Sequence, residues 1–416
     1  MFGFSRMRKC QNMICFIRKI TMIRCFSGLT APERKMLMNL LIHDLSAEEW
    51  RQKKENYKGW NVISPRDTIH PCIGCFRCWT GSTGECAVRD GYESMGALLH
   101  EAEEVVVMSR YTYGGFSSFV KNVFDRSLGY VLLEFETAYH EMHHKKRYAE
   151  DKPVTFVFRG SGLSETEKRL AERYVQAVCR NLRGTVKDVL FEECEESIGP
   201  AVKPKIGRRS GTLIISCSPR GGRSNTEVFL DRLEKELNKP LARKCLPLSG
   251  DMENLAKEVG QAETVILGMP LYVDGLPAPA IRFLDTVRKL GTGTGVRLYA
   301  VVNNGLYESR QNENLLAMLN EWCRQSGAVY CGAAAIGAGE AVGTLMRGSN
   351  HPLWPADNAV KALCSLAESI RAGRETETVY ADPSGFPRWL YILIANTNWQ
   401  LLKHRERTQK KSQTTV

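Results

Sequence analysis

Short, nearly continuous apolar runs alternate along the chain with longer stretches whose apolar positions recur every three or four residues, and this rhythm occurs twice. In the first half the runs 35–43, 104–109, 153–158 and 185–191 are rich in Val, Ile, Leu and Phe, as strands buried on both faces are. Between them lie a polar helix from Ser46 and helical periods over 119–127 and 164–182. In the second half the strands fall at 212–217, 264–268, 297–302 and 329–333, and the helices at 224–237, 279–289, 312–323 and 356–371. Strand alternating with helix predicts an α/β architecture of parallel sheets covered on both faces. Two tandem doubly wound parallel sheets are therefore expected, over 35–191 and 211–375. A linker at 192–210, with Pro200, Pro204 and Gly207, breaks both periods, and 376–416 reads as a C-terminal helix with a basic tail.

Composition changes this picture little: 416 residues that are 43% hydrophobic and 25% charged exclude a disordered, collagenous or many-span membrane chain. The net charge of +11 suggests nucleic acid until it is placed. Ten of those charges sit in the tails, Arg6 to Arg24 at one end and Lys403 to Lys411 at the other, so the nearly neutral body argues against a nucleic-acid groove. Fourteen cysteines in so long a chain point to a reducing cytoplasm rather than a disulfide scaffold. Residues 1–34 form a basic leader, expected to be disordered, an organelle transit peptide or an upstream extension before the ordered chain.

The chemistry concentrates after the strand at 212–217. Cys217-Ser218-Pro219-Arg220-Gly221-Gly222-Arg223-Ser224-Asn225-Thr226 leads into an amphipathic helix at the carboxyl edge of the sheet, where ligands of doubly wound folds bind. Helix-start N–H groups, the hydroxyls of Ser218, Ser224 and Thr226, and the charges of Arg220 and Arg223 suit a phosphate monoester. Ser224 to Glu227 also reads as a capping box, which accounts for Ser224 but not for the arginines or the glycine pair.

These residues carry a resemblance. Ser216 to Thr226 is similar to the flavin-phosphate loop of the flavodoxin-like NAD(P)H-dependent FMN reductases, S-x-S-P-R, a gap, then S-N-T. Met269 to Pro277, with Pro270, Leu271, Tyr272, Val273 and Asp274, resembles the loop along the flavin ring, and Asn303-Asn304-Gly305-Leu306-Tyr307-Glu308 the loop after the fourth strand. The resemblance implies a flavodoxin-like fold, FMN bound at these loops, NAD(P)H as co-substrate, and reduction of a small electrophile such as a quinone or nitro compound. It assigns no catalytic residue. Tyr272 and Tyr307 pack near the ring or anchor their loops. A non-catalytic flavin-binding protein is the alternative outside enzyme chemistry.

The first half repeats only part of this. Ser109 to Ser118 resembles the ring-side loop, with Arg110 where proline is common, but the first strand ends in Ile42-His43-Asp44-Leu45-Ser46-Ala47-Glu48-Glu49, whose acids would repel a phosphate. A degenerate domain follows, and one FMN per chain. In an intramolecular pseudo-dimer Tyr113, Phe116 and the segment 140–144 would cover the flavin held by the second half, with homo-oligomers open. Cys72, Cys75, Cys78 and Cys86 have a C-x2-C-x2-C-x7-C spacing that resembles iron–sulfur flavoproteins and can hold a [4Fe-4S] cluster. Zinc, or reduced thiols shaping a loop, are the other readings.

Three further features compete with simpler readings. His140-Glu141-Met142-His143-His144 matches the H-E-x-x-H of zinc proteases but lacks an evident third ligand, and is read as a His-rich insertion at the site mouth. Gly337, Gly339 and Gly343 imitate a dinucleotide fingerprint and are read as a loop close to the flavin or the partner domain. Trp389 to Ala395 before the basic tail could touch an anionic membrane, and packing against the body is expected instead.

Overall fold

The computed structural model describes residues 38–81, 84–194, 209–238, 241–348 and 354–413, with backbone alone over 405–413. The basic leader and most of the linker lie outside the described residues. Before the linker come β1 (Leu40–His43), β2 (Asn61–Ile63), β3 (Val105–Arg110), β4 (Val131–Ala138), β5 (Glu141–Lys146), β6 (Pro153–Arg159) and β7 (Thr185–Glu192). Five of them form a parallel sheet of order β2-β1-β3-β6-β7, while β4 and β5 form a separate antiparallel hairpin. After the linker come β8 (Thr212–Ser216), β9 (Ala242–Cys245), β10 (Thr264–Pro270), β11 (Arg297–Asn303), β12 (Val329–Ile336) and β13 (Val379–Ala381), a parallel sheet of order β13-β12-β11-β10-β8-β9. Both sheets thus have the doubly wound flavodoxin-like order, each first strand lying between the second and third of its own half. The expected architecture of two tandem doubly wound sheets is met.

The central strands form because their side chains are buried on both faces; Leu41, Ile42, Ile214, Ile215 and Ile266 have no exposure. Serines start the helices that follow: Ser46 and Ser164 close capping boxes at Ala47–Lys53 and Glu165–Asn181, and Ser117 caps Ser118–Asp125. The edge strands β2, β9 and β13, three or four residues each, have no counterpart in the sequence reading.

The two halves meet through equivalent parts. Thr112 pairs with Gly115 and Tyr272 with Gly275 across the same two-residue turn. Gly115 and Gly275 then lie against the same two side chains, Tyr174 from the first half and Met318 from the second; a Cβ on either glycine would stand 2.9 to 3.1 Å from their nearest atoms. One hydrophobic cluster contains Val120, Val123 and Phe124 together with Ala280, Ile281 and Phe283. A buried ion pair, Lys121 with Asp125, sits in this junction, and Asp125 Oδ2 accepts the Ala278 N–H at 3.0 Å.

One expectation is corrected here. Tyr113 and Phe116 do not cover a cofactor: Phe116 stacks among Phe124, Phe156 and Phe158, and both residues are buried in the junction of the halves. The H-E-x-x-H segment, read as an insertion at the site mouth, is the turn and second strand of the hairpin. Tyr139 and His140, at φ 51° and 64°, make the two-residue hairpin turn, and the period-2 strand that follows cannot present the helical zinc-protease face.

The helix Arg388–Gln413 packs on the hairpin, as the packing expectation has it. The Phe135 N–H donates to Asn396 Oδ1 at 2.7 Å and Asn396 Nδ2 donates back to the Phe135 carbonyl at 2.9 Å. Among the described residues no helix is long and apolar enough to cross a membrane.

Candidate functional site

A cavity of about 860 Å³ opens at the carboxyl ends of β8, β10 and β11, within the range of small-molecule sites. Ser218, Arg220, Ser224, Asn225 and Thr226 come to its wall from the first loop, Pro270 to Asp274 from the second and Asn303, Asn304 and Gly305 from the third. Parallel strands ending at one edge bring these three sequence-distant loops together. Three other candidates are elsewhere. Ser216 is buried with its Oγ unpartnered, Arg223 is exposed, and the Tyr307 hydroxyl donates to the Phe386 carbonyl at 2.6 Å, anchoring the C-terminal segment.

The phosphate-type loop is wired in detail. Ser224 is the N-cap of helix Asn225–Leu237 and accepts the Glu227 N–H at 3.3 Å, while the Glu227 carboxylate pairs with Arg243 instead of closing the box. Thr226 Oγ1 donates to Asn303 Oδ1 at 2.8 Å, tying the first loop to the third. Glu340 completes the loop from helix Gly339–Met346: its Oε2 accepts from Asn225 Nδ2 at 2.8 Å and Arg220 Nη1 at 3.3 Å. The glycine run makes this approach possible, since a Cβ on Gly343 would meet Asn225 at 2.7 Å and one on Gly339 the Asn304 carbonyl at 2.9 Å. The sequence reading placed the glycines near a flavin loop but missed Glu340.

The first half supplies the facing wall. Cys72, Cys75, Cys78, Cys86 and Trp79 line the cavity with Leu133, Phe135 and His144 of the hairpin. Gly74, at φ 63°, lets this segment reach the second half: a Cβ there would stand 2.3 Å from the Tyr272 hydroxyl and 2.8 Å from Arg220 Cγ. The Arg220 guanidinium lies 4.9 Å from the Phe76 ring centroid. Burial pushes the Cys72 thiol up and the Cys78 thiol up to about 12, so both are protonated at neutral pH. The four thiols share one wall, but among the described residues no group of three or more His, Cys, Asp or Glu is placed to hold a metal ion. The donor set as arranged does not fit an iron–sulfur cluster or zinc.

Residues outside the motifs add polar chemistry. Asn181 Nδ2 donates to Asp274 Oδ1 at 2.6 Å, and Asn181 Oδ1 lies 2.7 Å from His143 Nδ1. Asp274 Oδ2 is buried without a partner, and burial lifts the carboxyl pKa to about 7 against the opposing pull of Asn181 and Lys121. His144, stacked on Trp79 at 4.6 Å, is held near 4 by burial and is neutral. The roof is the C-terminal helix, through Tyr391, Ala395 and Trp399. Only tertiary packing brings Asn181 and the roof to the site.

The corresponding place in the first half is closed by its own acids. The Asp44 carboxylate accepts the Arg110 N–H at 3.0 and 2.9 Å and lies 3.7 Å from Arg159, which also pairs with Glu49. Only about 140 Å³ remains there.

No protein-family model matches the chain, and no curated protein matches it. Among solved structures it is similar to the Trp repressor binding protein from Bacillus subtilis, at 15% identity over 37% of this chain and 96% of that one, with a TM-score of 0.28. It is also similar to an NAD(P)H:quinone oxidoreductase from Methanothermobacter marburgensis, at 12% identity over 39% of this chain and 96% of that one, TM-score 0.29. A third is an FMN-dependent NADH-azoreductase from Bacillus anthracis, at 14% identity over 39% of this chain and 99% of that one, TM-score 0.27.

Proposed function

We propose that the chain is a flavoprotein whose second half binds FMN and which transfers electrons from NAD(P)H or a reduced ferredoxin to a small electrophilic acceptor of the quinone or nitro class. The observation that carries this reading is the convergence of three strand-end loops, one of them rich in hydroxyl and guanidinium donors, on one largely apolar cavity. The residues fit the cofactor. Ser218, Ser224, Arg220 and the first N–H groups of helix Asn225–Leu237 suit its phosphate, the apolar wall suits a planar ring, and the unpartnered Asp274 Oδ2 offers a polar handle.

When bound, FMN supplies hydride or one-electron transfer. The chain's part is to anchor the phosphate at Arg220 and Ser218, to frame the ring with 270–274 and 303–305, and to exclude water with Trp79, Leu133 and Phe135. Asp274 holds a proton at the cavity wall near neutral pH.

An anaerobic absorption spectrum of freshly purified protein, before and after NADPH, tests the reading. Flavin bands that bleach are expected, and protein that neither carries nor takes up FMN overturns it. Flavin that NADPH fails to bleach and that ferredoxin also leaves oxidised supports the non-catalytic alternative.

A further inference from the structure

The C-terminal helix packs on the hairpin through Asn396 and roofs the cavity, and it still leaves large apolar side chains bare. Tyr391, Ala395 and Trp399 face the cavity, while Trp389 is 66% and Leu393 57% exposed. Ile394 and Leu401 do both: they line the cavity and stand 45% and 55% exposed, so the rim of the mouth is continuous with the bare face. Scattered apolar residues are ordinary on a surface; four on one exposed helix beside a cavity mouth are a patch.

Charge says what the patch meets. The last turns of this helix carry Arg405, Arg407, Lys410 and Lys411 against one acid, Glu406, in a chain whose body is close to neutral. Trp and Leu followed by a cationic run is the composition that seats a helix in the headgroup region of an anionic bilayer, with each cation near the surface contributing about 1 kcal/mol. The helix cannot span. A lipophilic molecule leaving such a surface would reach the cavity along Ile394 and Leu401 without crossing water.

We infer that this helix docks the protein on an anionic lipid surface, and that the cavity takes its acceptor, a lipophilic quinone, from that surface. The acceptor class rests on the function proposed above; the docking does not. In the transfer, one hydride and one proton convert the quinone to its hydroquinone, the hydride coming from flavin reduced by NAD(P)H and the proton from water or a cavity acid.

The test is co-sedimentation of the full chain with vesicles of phosphatidylcholine alone and of equimolar phosphatidylcholine and phosphatidylglycerol, for wild type and for Trp389→Gln with Leu393→Gln. Neither substituted residue lines the cavity. Wild type is expected to pellet with the anionic vesicles, and about tenfold less with neutral ones or in high salt. The double variant should lose about tenfold or more in vesicle binding. It should reduce a water-soluble short-chain quinone at the wild-type rate and a long-chain quinone embedded in anionic vesicles more slowly. Wild type that stays in the supernatant, or a variant that pellets equally well, overturns the inference. So does a wild-type dimer in light scattering that the variant dissociates, since a second copy would then cover the face. Colourless protein that still pellets would sink the proposed function and leave the docking standing, whereas flavin-loaded protein that never pellets would do the reverse.

Discussion

The loops after β1 and β8 occupy the same place in two sheets of the same order, and they meet opposite fates. After β8, Ser218, Arg220 and Ser224 turn hydroxyls, a guanidinium and a helix start toward a cavity of about 860 Å³. After β1 the chain brings its own anion: Asp44 takes the Arg110 N–H, Arg159 bridges Asp44 and Glu49, and about 140 Å³ is left. A doubly wound sheet aims partial positive charge at this edge whatever the sequence. The side chains decide whether a ligand or the protein itself neutralises it. The closed half then contributes its Cys-rich segment and hairpin as the wall of the open one.

The comparison breaks most sharply on cofactor content. Arg220→Ala with Ser224→Ala removes two donors to a dianion, each charge-assisted bond contributing about 1.5 to 3 kcal/mol, so FMN affinity should fall by roughly a hundredfold or more. Released flavin should amount to one per chain in wild type and close to none in the variant. A ratio of two would show that the first half also binds FMN.

Next in size is the ion cluster of the closed half. Arg159→Met leaves Asp44 and Glu49 without their cation, with Asp44 almost fully buried. Breaking a buried pair in this way costs about 3 to 5 kcal/mol, to be read from urea melts at neutral pH, and FMN per folded chain should not change. A variant as stable as wild type would mean that the cluster is not what closes this edge.

Much of this contrast is legible in the sequence, because strand ends and helix caps are local: the acids at 44–49 and the hydroxyl-rich loop at 216–226 stand where the periods change. The parts that were not legible depend on distance or on shortness. β2, β9 and β13 run three or four residues, too short to show a period. The hairpin was hidden under a helix-type motif because His140 to His144 lacks the β-branched residues that mark a strand. Glu340 and Asn181 reach the site only through helix packing that a linear pattern does not contain.

The two-residue turns that follow β3 and β10 sharpen the comparison further, since Gly114 of the first half stands where the second has Asp274. Burial raises the Asp274 pKa to about 7, against about 4 in an unfolded chain. Between these values the folded state keeps a proton that the unfolded state has lost, so stability falls as pH rises, by up to about 1.4 kcal/mol per pH unit, and the loss is complete above the folded pKa. Asp274→Asn removes the titration. The variant should match wild type near pH 4 and exceed it by a few kcal/mol at pH 8, measured as the difference between paired urea melts so that other titrating groups cancel. A constant difference across that range would show that Asp274 ionises freely.

The smallest effect concerns the acid that the open loop does contain. Glu340 takes Arg220 and Asn225 through one oxygen, the role that Asp44 plays in the closed half, but it differs in exposure. The Glu340 side chain is 41% exposed and that of Asp44 8%, so Glu340 gives way to a stronger anion while Asp44 does not. An incoming phosphate must displace this carboxylate from Arg220 or share the guanidinium with it. Exposed pairs are worth about 0 to 1 kcal/mol, and Glu340→Gln removes both the competition and a like charge beside the phosphate while keeping an acceptor for Asn225. FMN should bind a few-fold more tightly to the variant, with a weaker dependence on salt, whereas riboflavin, which lacks the phosphate, should bind both proteins alike. Equal tightening of riboflavin would place the effect at the ring rather than the phosphate, and weaker FMN binding would mean that Glu340 orders Arg220 for the phosphate instead of competing with it.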